Sequence, residues 1–459
     1  MNKSQIKLMV LAYSAAFAGT ALAAVSADEA KQLDGPVLTR FGAEKAGNKA
    51  GTIPAYTGEG VNAPASYDPK EPGQRPDPFN EKPLFSITAQ NMAQYADHLS
   101  DGQRALFKSF PNYRMDIYPT HRTGTYPKYV LDNTAKNATV CKAVNNELTL
   151  EGCYGGFPFP IPKTGAEVMW NHLTAFSVKG GTRAIARHYI IHQDGHVTLF
   201  SGTDISQKWP YYDPTNTGPI DSKSIFWASR IDYVAPERTV GQKILVKDTL
   251  DNSRHAWQYI PGQRRVKLAP DLSYDTPIPT TGGIQTMDDG KGFLGNLDRF
   301  DWKLMGKKEK YIQYNAFNLQ NYKVCPDEKQ TTPHNFINPD CTRWELHRVW
   351  VVEGKLKPQF RHVYHRRILY WDEDTYMAGM TENYDASGGL FRIGFLESFP
   401  YWQSEGGGFY AEGAAFIDLN TGAWSYSGTS GFKGGGMQVI KPADDFFYSA
   451  EALAGEGIR

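Results

Sequence analysis

The sequence predicts a mainly β protein with some helix, built as a large curved antiparallel sheet whose apolar face must be covered by helices or by the sheet itself. Three observations predict it. From Thr182 onward, short alternating apolar and polar runs follow one another between turn residues. The chain carries 26 Tyr, 24 Phe and 10 Trp, side chains suited to half-buried pleated surfaces and apolar clefts. Its 44 Gly and 28 Pro supply the turns that many short strands require.

The strands are read in order. Ala184 to His192 leads through Gln193-Asp194-Gly195 into His196 to Phe200, and Asp-Gly between such runs signals a hairpin. Lys243 to Thr249, Arg254 to Ile260 and Arg264 to Leu268 form a meander, with turns at Asp251-Asn252 and Pro261-Gly262. Trp344, Leu346, Trp350 and Val352 alternate onto one face, with Arg348 as the exception. His362 to Trp371 and Tyr376 to Tyr384 flank Asp372-Glu373-Asp374, and Ala414 to Leu419 and Ala423 to Tyr426 flank Asn420-Thr421-Gly422. Two segments read as helical. Met92, Tyr95 and Leu99 recur at helical spacing within Ile87 to Phe110, which Gly102 divides into two short helices. Thr164-Gly-Ala-Glu167 is a capping box, in which the Thr hydroxyl takes the amide three residues on and the Glu bonds back, opening a helix from Gly165 to Phe176.

The N-terminus reads as a secretory signal: Lys3 and Lys7, an apolar run from Leu8 to Leu22, and small Ala21 and Ala23 around a cut after Ala23. The run is too short for a span, which takes ~20 apolar residues. No Cys sits near the cut to carry a lipid anchor, and no later segment approaches a span, so the mature chain is expected to be soluble and periplasmic. Residues 24–80, rich in Gly, Pro, Ala and Asn, are expected to be an extended arm, and 81–459 one large domain. The 49 Lys and Arg balance 49 Asp and Glu, so no net field favours nucleic acid.

The four cysteines fall into two local pairs, Cys141 with Cys153 and Cys325 with Cys341. Export and an even count favour disulfides, worth ~3 kcal/mol each in the chain-entropy model, and the expected bridges staple surface loops. The spacing alone leaves other pairings open. No C-x-x-C is present, and no metal site is expected.

Motifs for chemistry are sparse. Gly290-Lys-Gly292-Phe-Leu-Gly295 has the spacing of a dinucleotide fingerprint but lacks a surrounding strand–helix unit, so it reads as a flexible or tightly turning loop and no cofactor is expected. Gly406-Gly407-Gly408 and Gly434-Gly435-Gly436 are not followed by Lys-Ser or Lys-Thr. His188 and His192 lie ~13 Å apart on a strand. His192 and His196 can approach across the hairpin, and His362 and His365 point to opposite faces. There is no H-E-x-x-H and no G-x-S-x-G, and Asp372-Glu373-Asp374 reads as a solvated turn. No catalytic residue is expected. The aromatic strand Trp257-Gln-Tyr259, its turn and the basic return strand with Arg265 suit the rim of an open sheet. With Trp302 and Trp350, these residues are the expected wall and mouth of an apolar cleft.

Long blocks carry a family resemblance. Gly42-Ala-Glu-Lys-Ala-Gly-Asn48 with Gly51-Thr-Ile-Pro-Ala55 resembles the opening of the bacterial family catalogued as domain of unknown function 1329. So do Pro83 to Tyr95, Tyr118 to Arg122, Pro158 to Lys163 running into Gly165 to His172, Leu297 to Leu304, and Arg367 to Asp374; Tyr56 stands where the resemblance leads one to expect Trp. The resemblance covers nearly the whole mature chain. It implies a LolA-like fold, that of the periplasmic lipoprotein carriers and their outer-membrane receptor: an unclosed β-barrel with helices plugging its apolar concave face. It also implies an outer-membrane β-barrel protein and an RND-type exporter as neighbours, and it brings no established catalytic residues. The leading expectation is a periplasmic carrier or chaperone for a lipid-like or other hydrophobic molecule, in transport to or maintenance of the outer membrane. An envelope glycan-binding protein or hydrolase, and an adaptor docking an exporter to an outer-membrane protein through the arm, are the alternatives.

Overall fold

The expected alternation becomes strand wherever apolar residues recur at period two, and the computed structural model, which describes residues 25–332, 335–404 and 407–455, joins the strands into a large sheet. The chain opens with α1 (Ala27–Ala30), β1 (Phe85–Thr88), α2 (Asp101–Ser109) and β2 (Arg114–Ile117). A helical layer follows: α3 (Lys128–Val140), the small hairpin β3 (Lys142–Val144) and β4 (Thr149–Glu151), and α4 (Gly165–Leu173). The first meander is β5 (Gly181–Ile191), β6 (Val197–Lys208), β7 (Ile225–Ala235), β8 (Lys243–Thr249), β9 (Arg254–Ile260) and β10 (Arg265–Leu268). After β11 (Phe300–Gln313) and α5 (Asp327–Thr331), the second is β12 (Trp344–Leu356), β13 (Arg366–Asp372), β14 (Gly379–Tyr384), β15 (Leu390–Pro400), β16 (Phe409–Asp418) and β17 (Trp424–Gly428). The chain finishes with β18 (Gln438–Ile440) and α6 (Ala450–Gly455).

Antiparallel pairing of β17 with β5 fuses the two meanders. The sheet order runs β1-β2-β12-β13-β14-β15-β16-β17-β5-β6-β7-β8-β9-β10, with β11 on β12, so β10 and β11 stay at opposite ends and the barrel is unclosed. No described helix is long and apolar enough to cross a membrane. The signal sequence expected at residues 1–23 lies outside the described residues.

Both faces of the sheet are covered at β13–β14 and at β7–β9, which hides the alternation there from a sequence reading. On one face of β13, Trp371 stacks on His172 of α4, with ring centroids 3.6 Å apart. On the other, Glu382 of β14 accepts from the Gly102 amide of α2 at 2.5 Å. Beyond β7–β9, α6 seals the outer face: Tyr448 and Leu453 pack on Ala228, Leu245 and Tyr259. Arg348, the exception in its strand, is 9% exposed and forms ion pairs with Glu373 and Glu44.

Three local expectations change. Ile87 lies in β1, and the helical spacing yields only a short 3-10 turn at Met92–Tyr95 before α2, which Ser100 opens as a capping box with Gln103. The break is therefore at Ser100; Gly102 sits in the first helical turn, where a Cβ would press on Ile393 and Glu382. In α4 the Thr164 hydroxyl accepts from the Glu167 amide as expected, but the Glu167 carboxylate takes the amide of Lys163 rather than that of Thr164. The strands at β7, β11 and β15 are longer than any sequence signal for them; Lys-rich β11 pairs on one side only, and charge is the usual protection of an edge.

The disulfides pair as expected, Cys141–Cys153 and Cys325–Cys341, with Cα atoms 4.4 and 5.8 Å apart. They are not surface staples: all four cysteines are fully buried in the main hydrophobic core. The first ties the end of α3 to the β3–β4 hairpin, and the second ties the turn before α5 to the 3-10 turn at Pro339–Cys341. Residues 25–80 carry little regular structure yet lie against the body, with Phe41, Ile53 and Arg75 buried. The Arg75 guanidinium is held among the rings of Tyr67, Phe399, Tyr401 and Trp402.

Candidate functional site

The segment between β10 and β11, rich in Pro, Gly and Thr, forms short 3-10 turns instead of a strand. It crosses the inner face of the sheet as a lid. An isolated bridge between Pro277 and Thr286 closes its loop. Thr286 and Asp289 make a capping box, the Thr286 amide donating to Asp289 Oδ2 at 2.8 Å. The Gly290–Gly295 motif shapes the far end. Gly292 has φ +83° and faces Trp371 so closely that a Cβ would lie 2.9 Å from the ring, so only glycine brings the backbone this near. The motif is thus a tight turn pressed on the sheet, as its lack of a strand–helix context suggested.

A buried ion network pins this lid. Arg367 of β13, fully buried, donates Nη1 to Asp288 Oδ2 at 2.9 Å and Nη2 to Asp289 Oδ1 at 2.7 Å. Tyr364 donates its hydroxyl to Asp289 Oδ2 at 2.7 Å. The Tyr364 amide donates to His362 Nδ1 at 3.0 Å, which leaves Nε2 as the donor to Asp288 Oδ2 at 3.0 Å. Burial disfavours the Asp288 carboxylate, but Arg367 and His362 outweigh it and hold Asp288 well below the usual range. His362 is buried and His365 exposed, as their opposite faces require.

Between lid and sheet lies an apolar cavity in two sections, of about 210 and 170 Å³, that share Ile205, Trp227, Ile231 and Leu294 among their walls. Ala184 and Ala186 of β5 line the first section; Ile244 and Val246 of β8 line the second. Among the polar residues on its walls, Arg254 of β9 is paired with Asp248, and two others bear on ligand binding. His188 is satisfied by Ser427 and Thr203 hydroxyls, both at 2.9 Å, and its apolar surroundings push it down to about 4. Lys291, half-buried on the lid, rests among Trp209, Trp227 and Tyr410, its ammonium 5.0 to 5.4 Å from the ring centroids. Two open surface clefts are larger, about 530 and 520 Å³, and their walls mix polar and apolar residues, Trp302 lining the second. The apolar cavity is the candidate site, because a pocket is defined by convergent apolar walls with a few placed polar groups.

The five expected cleft residues do not converge there. The β9 register turns Arg254 and Ala256 inward, so Trp257 and Tyr259 lie on the outer face, beside the α6 cluster. Arg265 is exposed on the edge strand β10. Trp302 supports the foot of the lid: its indole N–H donates to the Leu297 carbonyl at 2.9 Å and its ring meets Phe293 edge-on at 5.1 Å. Trp350 lies under the Lys307 ammonium at 4.7 Å. Sequence reasoning missed Lys291, Asp288, Asp289 and Arg367. Three charges in a stretch flanked by Met287, Phe293 and Leu294 were the available signal, since charges in an apolar setting must be paired.

The Asp372-Glu373-Asp374 turn is corrected outright: it is buried, with the three residues 0, 2 and 1% exposed. Arg122 grips Asp374 with Nε to Oδ2 at 2.8 Å and Nη2 to Oδ1 at 2.6 Å. Lys307 and Arg348 pair with Glu373 at 2.7 and 3.3 Å. His347, Asp372 and Asp374 bring one donor atom each within 4.8 Å of one another. These donors already have protein partners: Arg122 takes both oxygens of Asp374, and the ring nitrogens of His347 face Asp372 at 3.2 Å and Glu345 at 3.3 Å. His192 and His196 do approach across their hairpin, with centroids 5.7 Å apart, and both are exposed.

Burial pulls the His347 pKa down, but the two carboxylates outweigh it and raise it to about 9, above the ordinary imidazole value of 6.5. The protonated ring therefore favours the folded state. Its contribution is fully present below pH ~6.5 and lost as pH rises through ~9, an effect of roughly 3 kcal/mol. The gap in unfolding free energy between wild type and His347→Gln should be widest at pH 6 and shrink toward pH 10 in urea titrations. A gap that does not vary with pH would show that the ring is not charged in the folded protein.

The chain belongs to the family described as protein of unknown function DUF1329, whose model matches residues 86–454. Uncharacterized protein PA3922 of Pseudomonas aeruginosa is 38% identical over 443 residues, 95% of each chain. Among solved structures, a candidate outer membrane lipoprotein-sorting protein domain from Vibrio parahaemolyticus is 12% identical, covers 63% of this chain and 97% of its own, and has a TM-score of 0.42. A DUF1329 family protein from Desulfovibrio piger is 14% identical, covers 60% and 92%, and has a TM-score of 0.39.

Proposed function

We propose that this protein is a periplasmic carrier or chaperone that holds a lipid-like or other hydrophobic molecule between its sheet and the 276–295 lid, in transport to or maintenance of the outer membrane. The observation that carries the reading is the apolar cavity under a lid pinned by a buried ion network. Each section is smaller than the ~300–1,000 Å³ of pockets for drug-sized ligands. The described state is therefore the closed one, and loading requires the lid to lift. Burying an acyl chain there gains roughly 0.8 kcal/mol per methylene. The two disulfides fit an oxidising compartment. An outer-membrane β-barrel protein and an RND-type exporter are the partners this role would need, and we assign no reaction to the site.

The neutral dye N-phenyl-1-naphthylamine tests the reading. It should brighten on binding the wild type, and Ala186→Phe, which fills the first section, should abolish the signal. Overpacking costs ~1–3 kcal/mol, so circular dichroism must first show the variant folded. A folded variant that binds the dye as well as wild type removes the cavity from the argument. Native mass spectrometry of protein taken from its own envelope should then find a retained hydrophobic molecule.

A further inference from the structure

Lys291 is the feature of the cavity that a purely apolar cargo leaves unexplained. Among the described residues its ammonium has ring faces for company and no acid. The candidates around it are all committed elsewhere. Asp289, two residues away on the lid, gives its oxygens to Arg367, Tyr364 and Thr286. Asp248 of β8 is gripped by Arg254 of β9 through both oxygens, at 2.7 and 2.6 Å. His188 of β5 is held by two hydroxyls. His172 of α4 lies between the carbonyls of Tyr376 and Phe293. Tyr410 of β16 presents its ring. A cation in an apolar pocket without a counter-ion is costly, and three aromatic faces offset only part of that cost. The lid backbone nevertheless adopts φ +51° at Lys291, a left-handed conformation that side chains other than glycine rarely take.

The cavity is also polarised. Lys291 lines the first section only, while the second is walled by Ile244, Val246, Ile278 and Pro279, and the one cation on its wall, Arg254, is neutralised by Asp248. Resting on the carrier reading above, we propose that Lys291 is the anchor for the head group of the cargo, and that the cargo is a single-chain amphiphile bearing one negative charge, with its head at Lys291 and its chain in the second section. One unpaired cation matches one anion, and the aromatic cage holds the amine in place until the anion arrives. The incoming charge completes the ion pair that the fold leaves open, so loading and lid closure support each other.

The protonation behaviour agrees in sign. Burial lowers the amine to about 7, partly opposed by Asp248. His188 and His172, both about 4, do not titrate in that range. The ammonium is the form that binds, so the preference for an anion should weaken above pH ~7, by up to about tenfold per unit.

Displacement of N-phenyl-1-naphthylamine from the whole chain by dodecanoate, dodecanol and dodecyltrimethylammonium tests the proposal, since the three differ in head group and share one chain. Dodecanoate should displace the dye at a concentration at least about tenfold below dodecanol, with the ammonium weakest, as expected for a charge-assisted contact in an apolar site. Lys291→Met should narrow the ratio of dodecanoate to dodecanol to within about twofold, and Lys291→Arg should keep it. The wild-type ratio should fall between pH 6 and pH 9. Equal displacement by all three, or a ratio that survives in Lys291→Met, overturns the anchor while leaving the carrier reading in place. Failure of the dye and of every amphiphile to bind overturns the carrier reading itself.

Discussion

Arg367→Met should lower the unfolding free energy by about 3–5 kcal/mol, the usual cost of removing one partner from a buried ion pair. Arg367 is fully buried between Asp288 and Asp289, themselves 2 and 1% exposed. Without the guanidinium, two adjacent carboxylates would share one apolar site, with only His362, Tyr364 and Thr286 to satisfy them. One must then take up a proton or leave the interior. Leaving means lifting the lid, so the variant should also exchange its amide hydrogens faster across 276–295 while β13 and β14 stay protected. The pH dependence follows from Asp288, whose folded pKa is depressed. Its contribution is present above the ordinary carboxylate range and lost as pH falls through the depressed value; the variant should have lost most of it already at neutral pH. Adding Asp289→Asn should recover part of the stability by removing the like charge. A loss below about 1 kcal/mol, or unchanged exchange in the lid, would show that apolar contacts alone hold the segment down.

How much of this was legible in the sequence depends on what each residue had to signal. The hairpin at Gln193-Asp194-Gly195 and the strands 243–249 and 254–260 read directly, because short range turn chemistry and period-two alternation specify them. The disulfide pairs also read directly, but their depth did not, since spacing carries no information on burial. Alternation fails where both faces are covered. Trp257 and Tyr259 alternate as cleadly apolar positions whichever way the strand faces, and only the α6 cluster on the outer side settles their direction. The acidic turn fails for another reason. Three consecutive carboxylates look solvated until Arg122, 252 positions away from Asp374, folds against them, and no local pattern announces so distant a partner. Lys291 was visible only as part of a glycine-spaced motif, whose nearest familiar use is a dinucleotide fingerprint. Its real setting required knowing that the motif packs on Trp371 and faces Trp227.

The same device recurs at the other end of β13, where the N-terminal segment meets the sheet. Arg122→Ala should cost about 3–5 kcal/mol and loosen residues 44–75. Asp374 receives both of its charge-assisted bonds from this guanidinium, and Glu373 receives a third at 3.5 Å. The N-terminal segment is bound into the network through its backbone. The Glu44 amide donates to Glu373 at 3.3 Å, Arg348 donates to the Ala46 carbonyl at 3.0 Å, and Arg122 donates to the Pro54 carbonyl at 3.5 Å. The Tyr56 ring lies against the guanidinium at 5.3 Å, and its hydroxyl donates to the Gly124 carbonyl at 2.8 Å. Removing Arg122 therefore withdraws a charge, a packing surface and a backbone donor together. Lys307→Met is the control: its amine is 20% exposed and Glu373 keeps Arg122 and Arg348, so the loss should be roughly 1 kcal/mol. Urea unfolding should rank the two variants in that order, and brief proteolysis should cut Arg122→Ala within residues 44–75 while wild type and Lys307→Met resist. Equal losses in the two variants, or an N-terminal segment that stays protected in Arg122→Ala, would mean that Phe41 and Ile53 hold it by apolar burial and that the buried charges merely balance one another.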